Sequence, residues 1–266
     1  MKKVISSLAF TALMLGSSTG LSAFANENTS LSGNNIQEDY KTVMNEVKNE
    51  INSYQVTSPE QVEIYKKFKS MYSQKELENL NKNLDAFDQK KVNEKLKSTK
   101  IANNQRKAIV LGDGSMVIIG NKTGPIEDGL IPSSNEKQVT TYANIKNGTS
   151  GYKYYSTFYQ EIWGIIKQAE VYNRVDFQLY TNKAVFLGSS PAGTRAFIPA
   201  TVEVADHSTS GSGTRTLVNT YDYNATVSVA GNQLGNRYVS LGNTIKVISN
   251  VGNSVNYTAT PSYKGF

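Results

Sequence analysis

His207 is the only histidine in the chain, and there is no cysteine. Sites that need two or three histidines, thiolate zinc sites, thiol nucleophiles and haem attachment are therefore excluded. Asp206 and Ser208 flank His207, but side chains adjacent in sequence do not converge on one point as a Ser-His-Asp triad requires. His207 reads instead as a surface loop residue beyond a strand that ends near Ala205. Gly188-Ser189-Ser190-Pro191-Ala192 approximates a nucleophile elbow. The residue after its Ser190 is Pro191, which has no N–H to offer an oxyanion hole, and a turn between two strands accounts for the stretch.

Glycoside chemistry needs two carboxyl groups facing each other across a cleft. The C-terminal region offers Glu161, Glu170, Asp176, Glu203, Asp206 and Asp222. No spacing singles out a pair, and Glu161 stands out only for its place beside Trp163, the one tryptophan. Asp113 and Asp206 sit near turns, but neither belongs to a loop of carboxylates at calcium-ligand spacing. Gly112-Asp113-Gly114 leads into a strand, so no helix N-terminus stands ready for phosphate. The sequence thus assigns no catalytic residue, metal ligand or cofactor.

Aromatic residues are what remains. Between Tyr152 and Tyr180 lie Tyr152, Tyr154, Tyr155, Phe158, Tyr159, Trp163, Tyr172, Phe177 and Tyr180. From Ala169 the odd positions Ala169, Val171, Val175, Phe177 and Leu179 are apolar, broken only by Asn173, while Glu170, Arg174, Asp176 and Gln178 alternate with them. A period of two marks a strand buried on one face and wet on the other. Tyrosine joins a flat apolar ring to a polar tip and stacks on sugars, peptides or partner surfaces. Tyr152, Tyr154, Trp163 and Tyr172 are the candidate ligand-binding residues; the competing reading is plain packing, for which strands favour aromatics in any case.

The elements that must position these residues follow from the rest of the chain. Residues 1–25 read as an export signal: Lys2-Lys3, a short apolar run and the small-x-small end Ala23-Phe24-Ala25. Residues 26–35 read as a disordered leader. Within 36–100, Ile36, Tyr40, Val43, Val47, Ile51 and Tyr54 form one helical stripe. Ser58-Pro59-Glu60-Gln61 and Ser73-Gln74-Lys75-Glu76 are capping boxes opening further helices. The stripe Leu77, Leu80, Leu84 and Phe87 extends toward Val92 and Leu96, and these helices are expected to pack as a small antiparallel bundle. Residues 101–138 read as a hairpin around Gly112 to Ser115 followed by a linker. Residues 139–266 change character: Thr, Val, Tyr, Ser, Asn and Gly replace Lys and Glu, and short strands alternate with glycine turns. The fold class is α+β, a small helical region followed by an all-β domain, a sandwich or alternatively a barrel.

Net charge is +6, and the two leader lysines leave a surplus of four that looks diffuse along the sequence. No run alternates arginine with aromatics, so nucleic acid is not expected as a partner, and no later segment approaches membrane-spanning length. The expectation is a secreted, extracellular or cell-surface-associated bacterial protein that binds a cell-wall or surface glycan, or another protein, through its aromatic-rich β domain. One alternative is a toxin or antimicrobial effector inserting hairpins from Gly213 to Val229 and Tyr238 to Thr260, whose strands mix polar and apolar residues. A carboxylate-dependent hydrolase using Glu161 or Asp176 is the other.

Overall fold

The computed structural model describes residues 31–33, 35–81, 84–96, 99, 101, 104–126, 145–197, 200–229 and 232–262. The expected export signal, most of the leader, most of the linker and the first residues of the expected β domain lie outside them. Two antiparallel sheets stack into a sandwich that does not close into a barrel, with helices at one end. The first sheet runs β1 (Arg106–Val110), β2 (Met116–Pro125), β4 (Lys153–Trp163), β5 (Lys167–Tyr180) and β6 (Lys183–Ser190), with β7 (Arg195–Ala196) paired to the start of β5. The second is ordered β3 (Ile145–Thr149), β11 (Ser254–Ser262), β10 (Asn232–Val251), β9 (Thr216–Val229) and β8 (Ala200–Ser210).

Two expectations need correction. The hairpin at Gly112 is not separated from the sandwich by a linker: β2 pairs along its whole length with β4, so the first sheet begins at Arg106. The helices form no bundle of their own. Those named α1 (Ile36–Asn52) and α2 (Glu63–Met71) lay Tyr40, Val43, Met44, Val47, Tyr65 and Phe68 on the outward face of the first sheet, over Met116, Ile118 and Trp163. A helix with one apolar stripe needs one partner surface, and β2 supplies it because it is apolar on both faces: Met116 and Ile118 turn to the helices, Val117 and Ile119 to the other side. The long stripe from Leu77 breaks into α3 (Gln74–Leu80), a 3₁₀ turn at Asp85–Phe87 and α4 (Gln89–Leu96). The break sends Leu84, Phe87, Val92 and Leu96 into the sandwich core instead of the helix layer.

The caps behave as their chemistry dictates. Asn35 opens α1 by accepting from the Gln37 and Glu38 amides, and the Ser73/Glu76 box opens α3. The Ser58/Gln61 box closes as well, but on the 3₁₀ turn Pro59–Gln61, with α2 starting after Val62. Asp113 in the hairpin turn accepts from the amides of Asp85 and Ser115, tying the 3₁₀ turn to the sheet. In the second sheet, β9 runs unbroken from Thr216 to Val229 because Asn219 and Tyr221 keep the inward phase through its middle.

The sandwich core is apolar at its ends and polar in the middle. Asn173, the one break in the apolar alternation of β5, donates through Nδ2 to the carbonyls of Asn219 (3.0 Å) and Leu241 (2.7 Å) on the opposite sheet. Asn243 returns the link, donating to the Ser156 carbonyl at 2.8 Å. Three hydrogen bonds thus pin the sheets to each other's backbones, each contributing about 1 kcal/mol.

Candidate functional site

Register on the first sheet decides which aromatics reach the surface. Even positions of β4 face the core: Tyr154, Phe158 and Ile162 are buried there, with Tyr154 packed between Phe177 and Tyr257. Odd positions face outward: Tyr155, Thr157, Tyr159, Glu161 and Trp163. The four candidates therefore separate. Tyr154 and Trp163 are 8% and 3% exposed, on opposite faces of β4, the first in the sandwich core and the second under the helices. Tyr152 lies in the turn before β4, 40% exposed. Only Tyr172 belongs to an outward aromatic surface. The competing reading, packing, accounts for Tyr154 and Trp163.

Its neighbours on that surface are Tyr155 and Tyr159, which the sequence reading passed over. Tyr159 stands directly opposite Tyr172, and the rings stack with centroids 5.4 Å apart at 26°. Glycines make room beneath them. A Cβ on Gly120, the β2 partner of Tyr159, would come within 1.9 to 2.2 Å of its ring; Gly124 lies under Tyr155 and Gly193 against Tyr172. Glycine inside a strand marks such a close approach, and the pair Gly120 and Gly124, four apart on β2, was the available signal. The rings lie on the sheet as a floor instead of standing off it. Arg174 covers Tyr155 at 4.7 Å and pairs with Asp176 at 2.8 Å. Burial pushes the Tyr159 phenol above its ordinary value.

At the helix end of this floor, Glu161 and Glu170 are direct cross-strand neighbours, both 4% exposed. Glu161 takes Arg106 at 2.8 Å, the Trp163 indole N–H at 2.9 Å and Lys167 at 3.2 Å. Glu170 takes Lys167 at 2.7 Å, Arg195 at 3.1 Å and the Tyr172 hydroxyl. Burial alone would raise the Glu170 carboxyl, but the bonds from Lys167, Tyr172 and Arg195 outweigh it and hold the group below its usual range. A glycosidase of the two-carboxylate kind needs one member protonated as the acid. Here Glu170 is held ionised by donors. Asp176, the other residue weighed for hydrolysis, faces Tyr155 from the next strand and is paired to Arg174.

His207 is not in a loop. β8 continues to Ser210, and a bulge between Val204 and Asp206 shifts its phase so that His207 lies beside Tyr221, ring on ring at 4.3 Å. Its Nε2 sits 2.9 Å from the Ser189 hydroxyl of β6 and 2.7 Å from the Asn219 amide nitrogen; Tyr221 OH lies 3.1 Å from the same Ser189 oxygen. Sequence distance hid this meeting, since Ser189 precedes His207 by a turn and a change of sheet. The third member of a triad is missing: Asp206 accepts from the His207 backbone N–H, and among the described residues no carboxylate bonds the ring. The cluster joins the edge strands of the two sheets.

No family model matches the chain, and no curated protein matches it. Among solved structures it is similar to the crystal structure of a hypothetical protein from Listeria monocytogenes EGD-e, at 15% identity over 59% of this chain and 98% of that one. The TM-score of that match is 0.23.

Proposed function

We propose that this chain is an exported, non-catalytic binding protein that holds a glycan on the tyrosine floor of its first sheet. The observation that carries the reading is the seating of Tyr159 and Tyr155 over Gly120 and Gly124, with the Tyr172 ring stacked on Tyr159 and against the Gly193 turn and with Arg174 and Asp176 beside them. Tyr159 and Tyr172 offer ring surface to the flat faces of sugar rings, and Arg174, lying across Tyr155, offers donors to hydroxyls with Asp176 as acceptor beside it. Export rests on the leader read from residues 1–25. Binding of the mature protein to immobilised cell-wall material and to a glycan array tests the reading. Tyr155→Ala should weaken retention about tenfold while shifting stability by less than about 1 kcal/mol, since the ring is only half-buried. Retention by neither support, or retention unchanged in Tyr155→Ala, would remove the floor as the site.

The hairpin-insertion alternative finds support in strand length: β9 and β10 have 14 and 20 residues, against about 10 needed to cross a bilayer as strand. It ranks second because the face that would meet lipid carries Asn219 opposite Asn243. Dye release from liposomes separates the two readings, since only insertion predicts leakage.

A further inference from the structure

We infer that the glycan on this floor is an acidic polymer, one that alternates sugar faces with negative groups; the inference rests on the binding reading above. Residues on one face of a strand recur about every 7 Å, so the first sheet presents its outward side chains in cross-strand lines. Glu161 and Glu170 with Arg195 make the first line, Gly120, Tyr159 and Tyr172 the second. The third runs Lys122, Thr157 and Arg174, the fourth Gly124, Tyr155 and Asp176, and the fifth places Lys153 opposite Gln178. Ring lines and cation lines therefore alternate along β4 and β5. A polymer lying along these strands meets the Tyr159 and Tyr172 rings, then Arg174 where it lies across Tyr155, then Lys153.

The charge balance of the face agrees. Among the described residues, Arg106, Lys167 and Arg195 stand at its helix end, and Lys122, Lys153, Arg174 and Lys183 along the rest, seven cations. Against them are three carboxylates, Glu161, Glu170 and Asp176, each already in an ion pair. The surplus of four draws an anionic chain from solution. Glu161 and Glu170 are buried and already held by their own cations, so Asp176, paired to Arg174, is the one carboxylate such a polymer passes.

Calorimetric titration of the mature protein with alginate, dextran and poly(dT), with phosphatidylglycerol vesicles alongside, tests this. Alginate, a carboxylate-bearing polysaccharide, should bind at least about tenfold more tightly than neutral dextran and weaken about tenfold between about 50 and about 500 mM salt, as surface charge is screened. The double variant Lys122→Gln/Lys153→Gln, two exposed side chains, should lose about tenfold for alginate and nothing for dextran. Lys246→Gln, outward on the other sheet, should change neither. Dextran bound as tightly as alginate overturns the inference while leaving the floor as a sugar site. Tighter binding of poly(dT) or of the vesicles overturns it as well, and binding of neither polysaccharide removes the underlying reading with it.

Discussion

The outward faces of the two sheets differ although both are built from antiparallel strands of similar composition. On the first, half-buried tyrosines lie over glycines and seven cations outnumber three carboxylates. On the second, Thr216, Val218, Thr220, Asp222, Asn224 and Thr226 share the outward phase of β9, and among the described residues Glu203, Asp206 and Asp222 stand on that face against one lysine, Lys246. Asp206 and Asp222 even stand directly opposite each other. The difference arises from phase. Each strand splits its residues between two faces, and pairing sorts like onto like, so a charge surplus that is diffuse along the chain gathers on one side. One face is the proposed binding surface, and the other carries two carboxylates directly opposite each other.

The comparison can be broken at its strongest point first. Glu170→Gln would leave Lys167 to Glu161 alone and take from Arg195 its counter-charge, at a cost of about 3 kcal/mol near neutral pH. Because the folded carboxyl titrates below its ordinary 4.5, its stabilisation is complete above that value and is lost as pH falls through the lowered one. Urea midpoints of variant and parent should therefore converge on acidification. Midpoints that stay equally far apart at low pH would assign the loss to packing.

Gly120→Ala comes next. A methyl group there meets the Tyr159 ring, so either ring or strand must shift, at about 2 kcal/mol and with loss of sugar binding. Gly188→Ala, with open space at its Cβ, is the control and should stay within about 0.5 kcal/mol. Equal melting shifts for the two would remove the argument that glycines seat the floor.

Between the two faces, Asn173→Ala deletes two of the hydrogen bonds that join the sheets and should cost about 2 kcal/mol by leaving buried carbonyls without that donor. Amide exchange should rise in β5 and β9 together; a rise in β5 alone would mean the cross-sheet bonds contribute nothing. The smallest effect belongs to the second face. Asp206→Asn relieves the repulsion with Asp222 and should stabilise by about 0.5 kcal/mol, a gain that shrinks in high salt. A loss of stability would show that the pair is held by something other than the two strands.

The periodicity of β5 was legible residue by residue, including Asn173 as its exception, because a two-residue repeat needs no knowledge of partners. The phase of β4 was not. Tyr154 and Tyr155, Phe158 and Tyr159 put aromatics on both faces, so alternation could not say which ring is core and which is floor. The choice fell on Tyr154 and Trp163, and the first turned to the core and the second to the helices. The absence of a basic-aromatic run was correctly read along the sequence, yet Lys122, Tyr155 and Arg174 become neighbours across three strands.

Local chemistry settled much of this protein in advance: the capping boxes at Ser58 and Ser73, the turn at Gly112 to Ser115, the β character of the C-terminal region and the lack of cysteine chemistry. These depend on residues a few positions apart, whose interactions the chain meets wherever it folds. The meeting of Ser189 with His207, the joining of β2 to β4 and the gathering of tyrosines and cations on one face were decided only by the tertiary structure. Each depends on register between distant strands, and register is fixed by which face the whole sheet must bury.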